Sequence, residues 1–265
     1  MKLIKNIQSI AKDVILQEAI AVQNLAEMID DDFERCVHAI LNSNGRVVVT
    51  GVGKSAIVGQ KIVATLNSTG TPALFMHAAD AIHGDLGMIQ ANDVVILISK
   101  SGNTAEIKVL IPLLKRTGVT LIGMLSNKDS YLAQSVHHVL HAYCAKEADP
   151  LNLAPTTSTT VALALGDALA ICLLENRGFT TQDFAKYHPG GALGKRLYLK
   201  VCDIYPVNAL PKVSESASLN EVILEITSKR LGATSVVKEN GEMAGIITDG
   251  DLRRMLNRHG AKLPE

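Results

Sequence analysis

The sequence predicts an α/β protein: a doubly wound, parallel five-stranded sheet followed by a small separate unit. Three observations predict it. Short, continuous apolar runs at 47–49 and 94–98 are typical of strands buried on both faces of a parallel sheet. Segments with helical spacing separate these runs, and such alternation indicates a parallel sheet with right-handed crossovers. Beyond about residue 204 the pattern changes to a compact mixture of helix and strand.

The elements follow in a regular order along the chain. Apolar residues recur at three- and four-residue steps between 25 and 41, which predicts one helix that Asn44-Gly45 ends. Alternating strands and helices are then predicted at 47–49, 55–66, 73–76, 94–98, 106–116, 119–125, 136–143 and 159–174. We expect an N-terminal helical segment at 1–43, the sheet domain at 44–203 and the small unit at 204–265.

Composition argues against several classes of partner. Lys plus Arg and Asp plus Glu number 26 each, so the net charge is zero. The sequence also contains no Lys/Arg-rich run of the kind that binds nucleic acid. The four cysteines are far apart and form no Cys-x-x-Cys pair, which argues against a disulfide framework or a zinc knuckle. No signal-peptide block and no uninterrupted apolar stretch of membrane-spanning length is evident, so we expect a cytoplasmic protein with no membrane partner.

The first polar loop, residues 51–56 (GVGKSA), follows a predicted strand and opens a helix. Its glycines fit the dinucleotide pattern G-x-G-x-x-G/A, and its end resembles the Gly-Lys-Ser of a phosphate loop. The Walker pattern fails because Val48 stands where its first glycine belongs. The dinucleotide pattern lacks an acid at the tip of the next strand, which ends at Met76-His77. We therefore do not favour a nucleotide cofactor.

A second loop places three hydroxyl groups, those of Ser99, Ser101 and Thr104, around Gly102 at a strand end. Hydroxyls, free backbone amides and the positive end of a helix dipole can together bind a phosphate monoester without a cluster of cations. The alternative is an ordinary serine-capped helix. Capping accounts for one hydroxyl and not for three, so we favour anion binding.

Two further loops carry single candidate residues. Glu147 precedes a Thr/Ser run at 156–160 and is either a general base or a solvated charge. His188 stands in a Pro- and Gly-rich loop, 188–194, and is either functional or structural. His77 and His83 are six residues apart and could share a metal, but no third close ligand completes a site.

Taken together, the motifs resemble the SIS (sugar isomerase) domain family. The matching segments are 51–55 (GVGKS), 68–72 (STGTP), 83–88 (HGDLGM) and 99–102 (SKSG). Three more segments are similar to the arabinose 5-phosphate isomerases within that family: 146–151 (KEADPL), 153–156 (LAPT) and 188–194 (HPGGALG). Residues 245–252 (GIITDGDL) resemble a CBS repeat. The family carries two such repeats, so we expect an incomplete CBS module with the second repeat absent.

The resemblance implies an aldose–ketose isomerase that interconverts D-ribulose 5-phosphate and D-arabinose 5-phosphate through a cis-enediol. It implies no required cofactor, a homotetramer, and a first step toward Kdo and hence lipopolysaccharide or capsule. The catalytic residues carried over are Lys54, Glu106, Glu147 and His188. The substrate-binding residues carried over are Gly53, Ser55, Gly70, Thr71, His77, His83, Ser99, Ser101 and Thr104. His77 is also implied as a site for inhibitory zinc. The alternative function is a non-catalytic module that senses a sugar phosphate.

The reaction suggests a role for each catalytic residue. Glu147 would be the base, provided that partial burial raises its pKa. Lys54 would stabilise the enediolate oxygen or the phosphate. His188 would move a proton between oxygens or help open the sugar ring, and Glu106 would orient Lys54 or share proton transfer. Lys100 varies within the family and is expected not to affect the chemistry.

Overall fold

The computed structural model describes residues 6–259. Residues 1–5 and 260–265, the outer ends of the predicted segments 1–43 and 204–265, lie outside that range. The chain divides into two compact units, one ending at Gly191 and the other beginning at Ala192. The domain bounds expected from the sequence pattern, 44–203 and 204–265, stay a prediction.

The first unit contains strands and helices in nearly strict alternation. In chain order they are α1 (Ile7–Ala26), α2 (Asp31–Leu41), β1 (Val47–Gly51), α3 (Lys54–Ser68), β2 (Ala73–His77), α4 (Ala78–Ala81), a 3-10 turn (Asp85–Met88), β3 (Val94–Ile98), α5 (Ala105–Thr117), β4 (Thr120–Leu125), α6 (Tyr131–Ser135), β5 (His138–His141), α7 (Thr157–Asn176) and α8 (Thr181–Tyr187). The prediction of one continuous helix over 25–41 is wrong. Asp30 ends that continuity, because its carboxylate accepts hydrogen bonds from the amides of Asp32 and Phe33 and so caps a new helix, α2.

The five strands form one parallel sheet in the order β2-β1-β3-β4-β5, which confirms the predicted fold class. After β1 the chain forms β2 at one edge of the sheet. It then crosses over to form β3 on the other side of β1. This reversal makes the carboxyl ends of β1 and β3 a topological switch point, where ligands bind in open α/β sheets. Gly51 is level with Ile98, so the loops after these two strands begin side by side.

Side chains alternate between two cores, one on each face of the sheet. Val47 and Val49 of β1 face α2, α3 and α7, whereas Val48 faces α4, α5 and α6. β1 and β3, at the centre of the sheet, are buried along their whole length because both faces are covered. This sandwich of helices, sheet and helices fixes the strand ends that carry the polar loops.

Helices α3 and α7 pack closely on one face. A Cβ atom added at Gly166 of α7 would lie 2.5 Å from two side-chain carbons of Ile62 in α3, so glycine is required for this approach. By length and composition α7 could cross a membrane, although no such stretch was expected from the sequence pattern. Half of that apolar stretch is buried within the unit, and core helices pass the same test.

The second unit is a mixture of helix and a three-stranded sheet. Its elements are α9 (Ala192–Tyr198), α10 (Val201–Ile204), a 3-10 turn (Tyr205–Val207), β6 (Lys212–Ser214), α11 (Leu219–Lys229), β7 (Ala233–Val237), β8 (Met243–Thr248) and α12 (Asp249–His259). β6 is parallel to β7, and β8 is antiparallel to it. Ser218 and Glu221 form a capping box that begins α11. The predicted compact mixed unit is confirmed.

Candidate functional site

A cavity of about 180 Å³ lies at the carboxyl ends of the central strands. It is bounded by the beginnings of α3 and α7, the ends of β3, β4 and β5, and the loops between them. Its lining residues are Val52, Lys54, Ser55, Val58, Ile98, Lys100, Met124, Leu125, Ala142, Pro155, Ser158, Thr159 and Ala162. Two lysines and three hydroxyl residues thus surround an otherwise apolar space, which suits an anionic ligand with a carbon skeleton.

Glu147 lies directly behind the cavity and is only 3% exposed. Its Oε1 accepts hydrogen bonds from Lys100 Nζ at 2.6 Å and from Ser158 Oγ at 2.5 Å. Its Oε2 accepts from the backbone amides of Thr156 at 2.9 Å and Ser158 at 3.0 Å. The Thr156 side chain makes no capping bond, so the Glu147 carboxylate itself caps the N-terminus of α7. The interpretation of Glu147 as a solvated charge is therefore wrong.

These contacts also reverse the expected electrostatics of Glu147. Burial alone would raise the pKa of the carboxyl group, because it disfavours the charged form. The hydrogen bonds from Lys100, Ser158 and Thr156 together outweigh burial and lower the pKa from 4.5 to about 2. The expectation that burial would leave Glu147 with a raised pKa is thus wrong. Glu147 is ionised at all physiological pH values, and its oxygens are already engaged by donors.

Sequence reasoning underrated Lys100 and did not single out Ser158. The Lys100 side chain is 40% exposed and lines the cavity, while it contacts a carboxylate side chain that is only 1% exposed. Lys100 therefore connects the cavity to Glu147. The sequence signal for Lys100 is its position between two serines, directly after an apolar run that is typical of a buried strand.

The loop after β3, residues 99–104, is the serine loop. Ser99 Oγ lies 2.8 Å from Thr104 Oγ1 and accepts a hydrogen bond from the Gly102 amide at 3.1 Å. The Asn103 amide donates to Ser101 Oγ at 3.2 Å. Gly102 has a φ of +65°, and an added Cβ would lie 2.0 Å from Ser130 Oγ. The loop is thus tightly built, and it brings the three predicted hydroxyl residues together at the start of α5.

The loop after β1 presents the start of α3 to the cavity. Gly53 is the N-cap residue, with a φ of +57° and no side-chain capping bond, so the first amides of α3 have no side-chain cap. Lys54 and Ser55 follow at once and both line the cavity. The N-termini of α3 and α7 therefore meet at one space, and helix N-termini favour anions.

Lys54 and Ser55 are the predicted site residues that line the cavity, and the others, including the serine-loop residues Ser99, Ser101 and Thr104, lie outside its lining. Glu106 is half-buried in the first turn of α5, and nothing within residues 6–259 forms an ion pair or hydrogen bond with its carboxylate. His83 is exposed beside the 3-10 turn. His77 Nδ1 lies 3.8 Å from Asp80 Oδ2. The described part of the chain brings no three His, Cys, Asp or Glu side chains together as a metal site, so zinc at His77 stays a prediction.

His188 lies just after α8 and is oriented by its surroundings. Its Nδ1 is 3.0 Å from the Phe184 carbonyl oxygen, and its ring stacks on that of Phe184 at 4.0 Å between centroids. A carbonyl can only accept, so Nδ1 carries the proton and Nε2 is left as the basic nitrogen. His188 is thus held in a defined tautomer, but it does not line the cavity.

Gly70 and Thr71 lie at the turn between α3 and β2. Gly70 has a φ of +88°, and a Cβ there would lie 2.7 Å from the Phe179 ring. Thr71 is 1% exposed. The identity of Gly70 thus has a structural reason, whereas the buried Thr71 hydroxyl has no hydrogen-bond partner among the described residues. The predicted contact of both residues with substrate stays a prediction.

Comparison with known proteins places this geometry in a family. Residues 40–172 match the SIS domain, and residues 201–258 match the CBS domain. The arabinose 5-phosphate isomerase KdsD of Pseudomonas aeruginosa is 56% identical over 249 residues, which cover 94% of this chain and 76% of that protein. The chain belongs to the arabinose 5-phosphate isomerase family. The predicted resemblance is confirmed.

Other members of the arabinose 5-phosphate isomerase family agree. The KdsD protein of Escherichia coli K12 is 47% identical over 251 residues, covering 94% of this chain and 76% of its own length. A solved structure from Escherichia coli CFT073, determined in complex with arabinose 5-phosphate, is 44% identical with a TM-score of 0.66. It covers 68% of this chain, and the match takes in 95% of that structure.

Proposed function

We propose that this protein is an aldose–ketose isomerase that interconverts D-ribulose 5-phosphate and D-arabinose 5-phosphate. The observation that carries the proposal is the cavity at the switch point, which Lys54 and Lys100 line and where Lys100 binds the buried Glu147 carboxylate. Cations stabilise both a phosphate and an enediolate, and a carboxylate can accept a proton from carbon. Relatives at 47–56% identity that bear the name arabinose 5-phosphate isomerase support it.

The phosphate group would bind among Ser55, Ser99, Ser101 and Thr104. Gly53 permits the turn that aims the first amides of α3 at the cavity. The amides that open α5 and the serine-loop hydroxyls supply further donors. Such donors hold a phosphate without a cluster of cations, which accords with the zero net charge of the chain. His77, His83, Gly70 and Thr71 are proposed to contact the sugar, with His77 also open to inhibitory zinc.

The chemical step moves a proton between neighbouring carbons. Glu147 takes the proton from the carbon next to the carbonyl, the C–H electron pair forms the enediolate double bond, and the carbonyl π pair moves to oxygen. Lys54 stabilises that oxygen, and the proton returns to the adjacent carbon. His188, through Nε2, would move a proton between the oxygens or help open the ring. Glu106 would orient Lys54 or share proton transfer.

The wider proposal follows the family. No cofactor is required for this step, because the proton acceptor and the oxyanion donors are all protein groups. We place the protein in the cytoplasm as a homotetramer, with its product directed toward Kdo and so to lipopolysaccharide or capsule. The second candidate function, a sensing module without chemistry, would need the phosphate site alone. The buried carboxylate beside the cavity favours the enzyme.

Proton exchange followed by NMR tests the proposed function. Purified protein is incubated with ribulose 5-phosphate in deuterated water. We expect arabinose 5-phosphate carrying deuterium at C2, which establishes both the reaction and its enediol route. Binding of ribulose 5-phosphate with neither product nor exchange would instead support the sensing module.

A further inference from the structure

The Glu147 carboxylate does not itself line the cavity, whereas two of its hydrogen-bond donors do. Lys100 Nζ and Ser158 Oγ both bind Oε1 and both belong to residues of the cavity wall. Oε2 accepts hydrogen bonds from the backbone amides of Thr156 and Ser158 and from Thr156 Oγ1, none of which is a mobile side chain. Lys100 and Ser158 therefore connect Oε1 to the cavity wall and cover that oxygen.

The two donors differ in their freedom to move. Ser158 is 8% exposed and lies in the first turn of α7, where its amide is also bound to Glu147. Lys100 is 40% exposed at its side chain, on a flexible four-carbon stem that reaches Glu147 from the serine loop. Within the described part of the chain, Glu147 is its one ion-pair partner. Lys100 is thus the donor that can leave Oε1 at low cost.

An ammonium group has three N–H donors, and Glu147 Oε1 uses one of them. The others can reach an oxygen anion in the cavity that Lys100 lines. An anionic ligand would compete with Glu147 for the same cation, because opposite charges within a few ångströms interact strongly in a partly buried site. Binding of the ligand and release of Oε1 would then be one event.

We propose that Lys100 is a further catalytic residue: it binds an anionic oxygen of the sugar phosphate and, by shifting toward it, uncovers Glu147 Oε1. The proposal rests on the proposed isomerase function and extends it. It explains how a carboxylate held by five donor groups becomes able to take a proton from a substrate carbon. It also reverses the expectation that Lys100 leaves the chemistry unaffected.

Two substitutions separate this role from a structural one. Lys100→Met removes the ammonium group but keeps a linear side chain, and we expect the dissociation constant of arabinitol 5-phosphate to rise on the order of tenfold. Arabinitol 5-phosphate lacks the carbonyl, so its binding is measured without turnover. Lys100→Arg keeps the positive charge, but its guanidinium fork holds a carboxylate with two bonds. For it we expect a KM near that of wild type and a kcat lower by roughly tenfold.

Lys128→Met is the matched control. Lys128 forms an ion pair with Asp30 at 3.2 Å, both side chains are about half exposed, and Lys128 does not line the cavity. It should leave affinity and turnover unchanged. Thermal unfolding of each variant reports folding, and if Lys100→Met does not fold, the split between KM and kcat in Lys100→Arg decides the question alone.

The outcomes are distinct from those of the proposed function. Equal affinity of wild type and folded Lys100→Met for arabinitol 5-phosphate, or a wild-type kcat in Lys100→Arg, overturns the proposal. If wild-type protein converts no ribulose 5-phosphate, the isomerase function fails. The arabinitol 5-phosphate affinities then still show whether Lys100 binds the sugar phosphate, and wild-type protein that binds none overturns both.

Discussion

Two buried carboxylates stand at opposite ends of the same sheet. Asp93 immediately precedes β3 at the amino-terminal edge, and Glu147 lies at the carboxyl-terminal edge. Both are almost fully buried, and both have a lowered pKa because ion pairs and hydrogen bonds outweigh burial. They differ in the partner. Asp93 faces Arg46, whose Nε and Nη2 bind its two oxygens, while Glu147 faces one lysine ammonium.

The difference separates a structural pair from a functional one. The Arg46 fork is rigid, and Asp93 also accepts from the amides of Arg46 and Gln90, so this clamp joins the start of β1 to that of β3. The lysine at Glu147 is half-exposed and can exchange partners. Burial and a lowered pKa are common to both, so neither marks an active site. The position relative to the strand ends and the kind of cation distinguish them.

The largest expected effect is on turnover at the carboxyl-terminal edge. Glu147→Gln removes the proposed base, and we expect kcat to fall on the order of 10³-fold. Initial rates with ribulose 5-phosphate, together with the affinity for arabinitol 5-phosphate, measure this. A variant that binds normally and keeps kcat within tenfold of wild type would show that Glu147 is only a helix cap.

The next effect is on stability at the amino-terminal edge. Asp93→Asn leaves Arg46 without its buried partner, and we expect a loss of about 3 kcal/mol in the free energy of unfolding, since breaking a buried pair is costly. The folded variant should retain kcat. Asp167→Asn is the matched control: it breaks the more exposed pair with Lys61 and should cost less than about 1 kcal/mol. Denaturant titration compares them, and equal losses would contradict the structural role of Asp93.

A third, smaller effect is on pH dependence. Both carboxyl groups have a folded-state pKa below the unfolded value, so each contributes stability that is complete above the unfolded pKa and is lost as pH falls through the folded pKa. We therefore expect the free energy of unfolding to decline as pH falls from about 5 to about 2. Unfolding free energies of wild type and Asp93→Asn at several pH values test this. The variant should show a shallower decline, and parallel curves would exclude the Asp93 contribution.

The smallest effect concerns the two loops at the switch point. In Gly102→Ala the new methyl group would clash with Ser130, and alanine would be strained at the positive φ of this position. We expect the free energy of unfolding to fall by about 2 kcal/mol. Gly53 also has a positive φ, but a Cβ there meets no atom within 4 Å, so Gly53→Ala should cost about 1 kcal/mol. Thermal unfolding ranks them. The reverse order would mean that the serine loop rearranges freely.

Much of the fold could be predicted because local pattern determines it. β1 begins with three valines and ends in Gly51, and β3 is a continuous apolar run followed at once by Ser99, so the sequence predicts the sheet and its polar edge. The break between α1 and α2 was missed because Asp30 interrupts an otherwise continuous apolar spacing with a cap. A carboxylate that caps a helix gives little signal within a helical pattern.

The sequence predicts which residues belong to the site better than it predicts the contacts between their side chains. Ser55, Lys54 and Glu147 follow from strand-end position. The pairing of Lys100 with Glu147 joins residues 47 apart, and no spacing rule reveals it. The sign of the Glu147 pKa shift depends on weighing donors against burial, which requires coordinates.

The glycine at 166 has a consequence for substrate size. It sets how closely α7 approaches Ile62, and both helices begin at the cavity, which Ser55 and Ser158 line. Eight residues of helix separate Gly166 from Ser158, roughly 12 Å along the axis. The spacing of the two helices that form part of the cavity wall therefore depends on a contact about 12 Å away from Ser158. A related chain could accommodate a longer sugar by a methyl group added deep in its core, with every residue around the ligand unchanged.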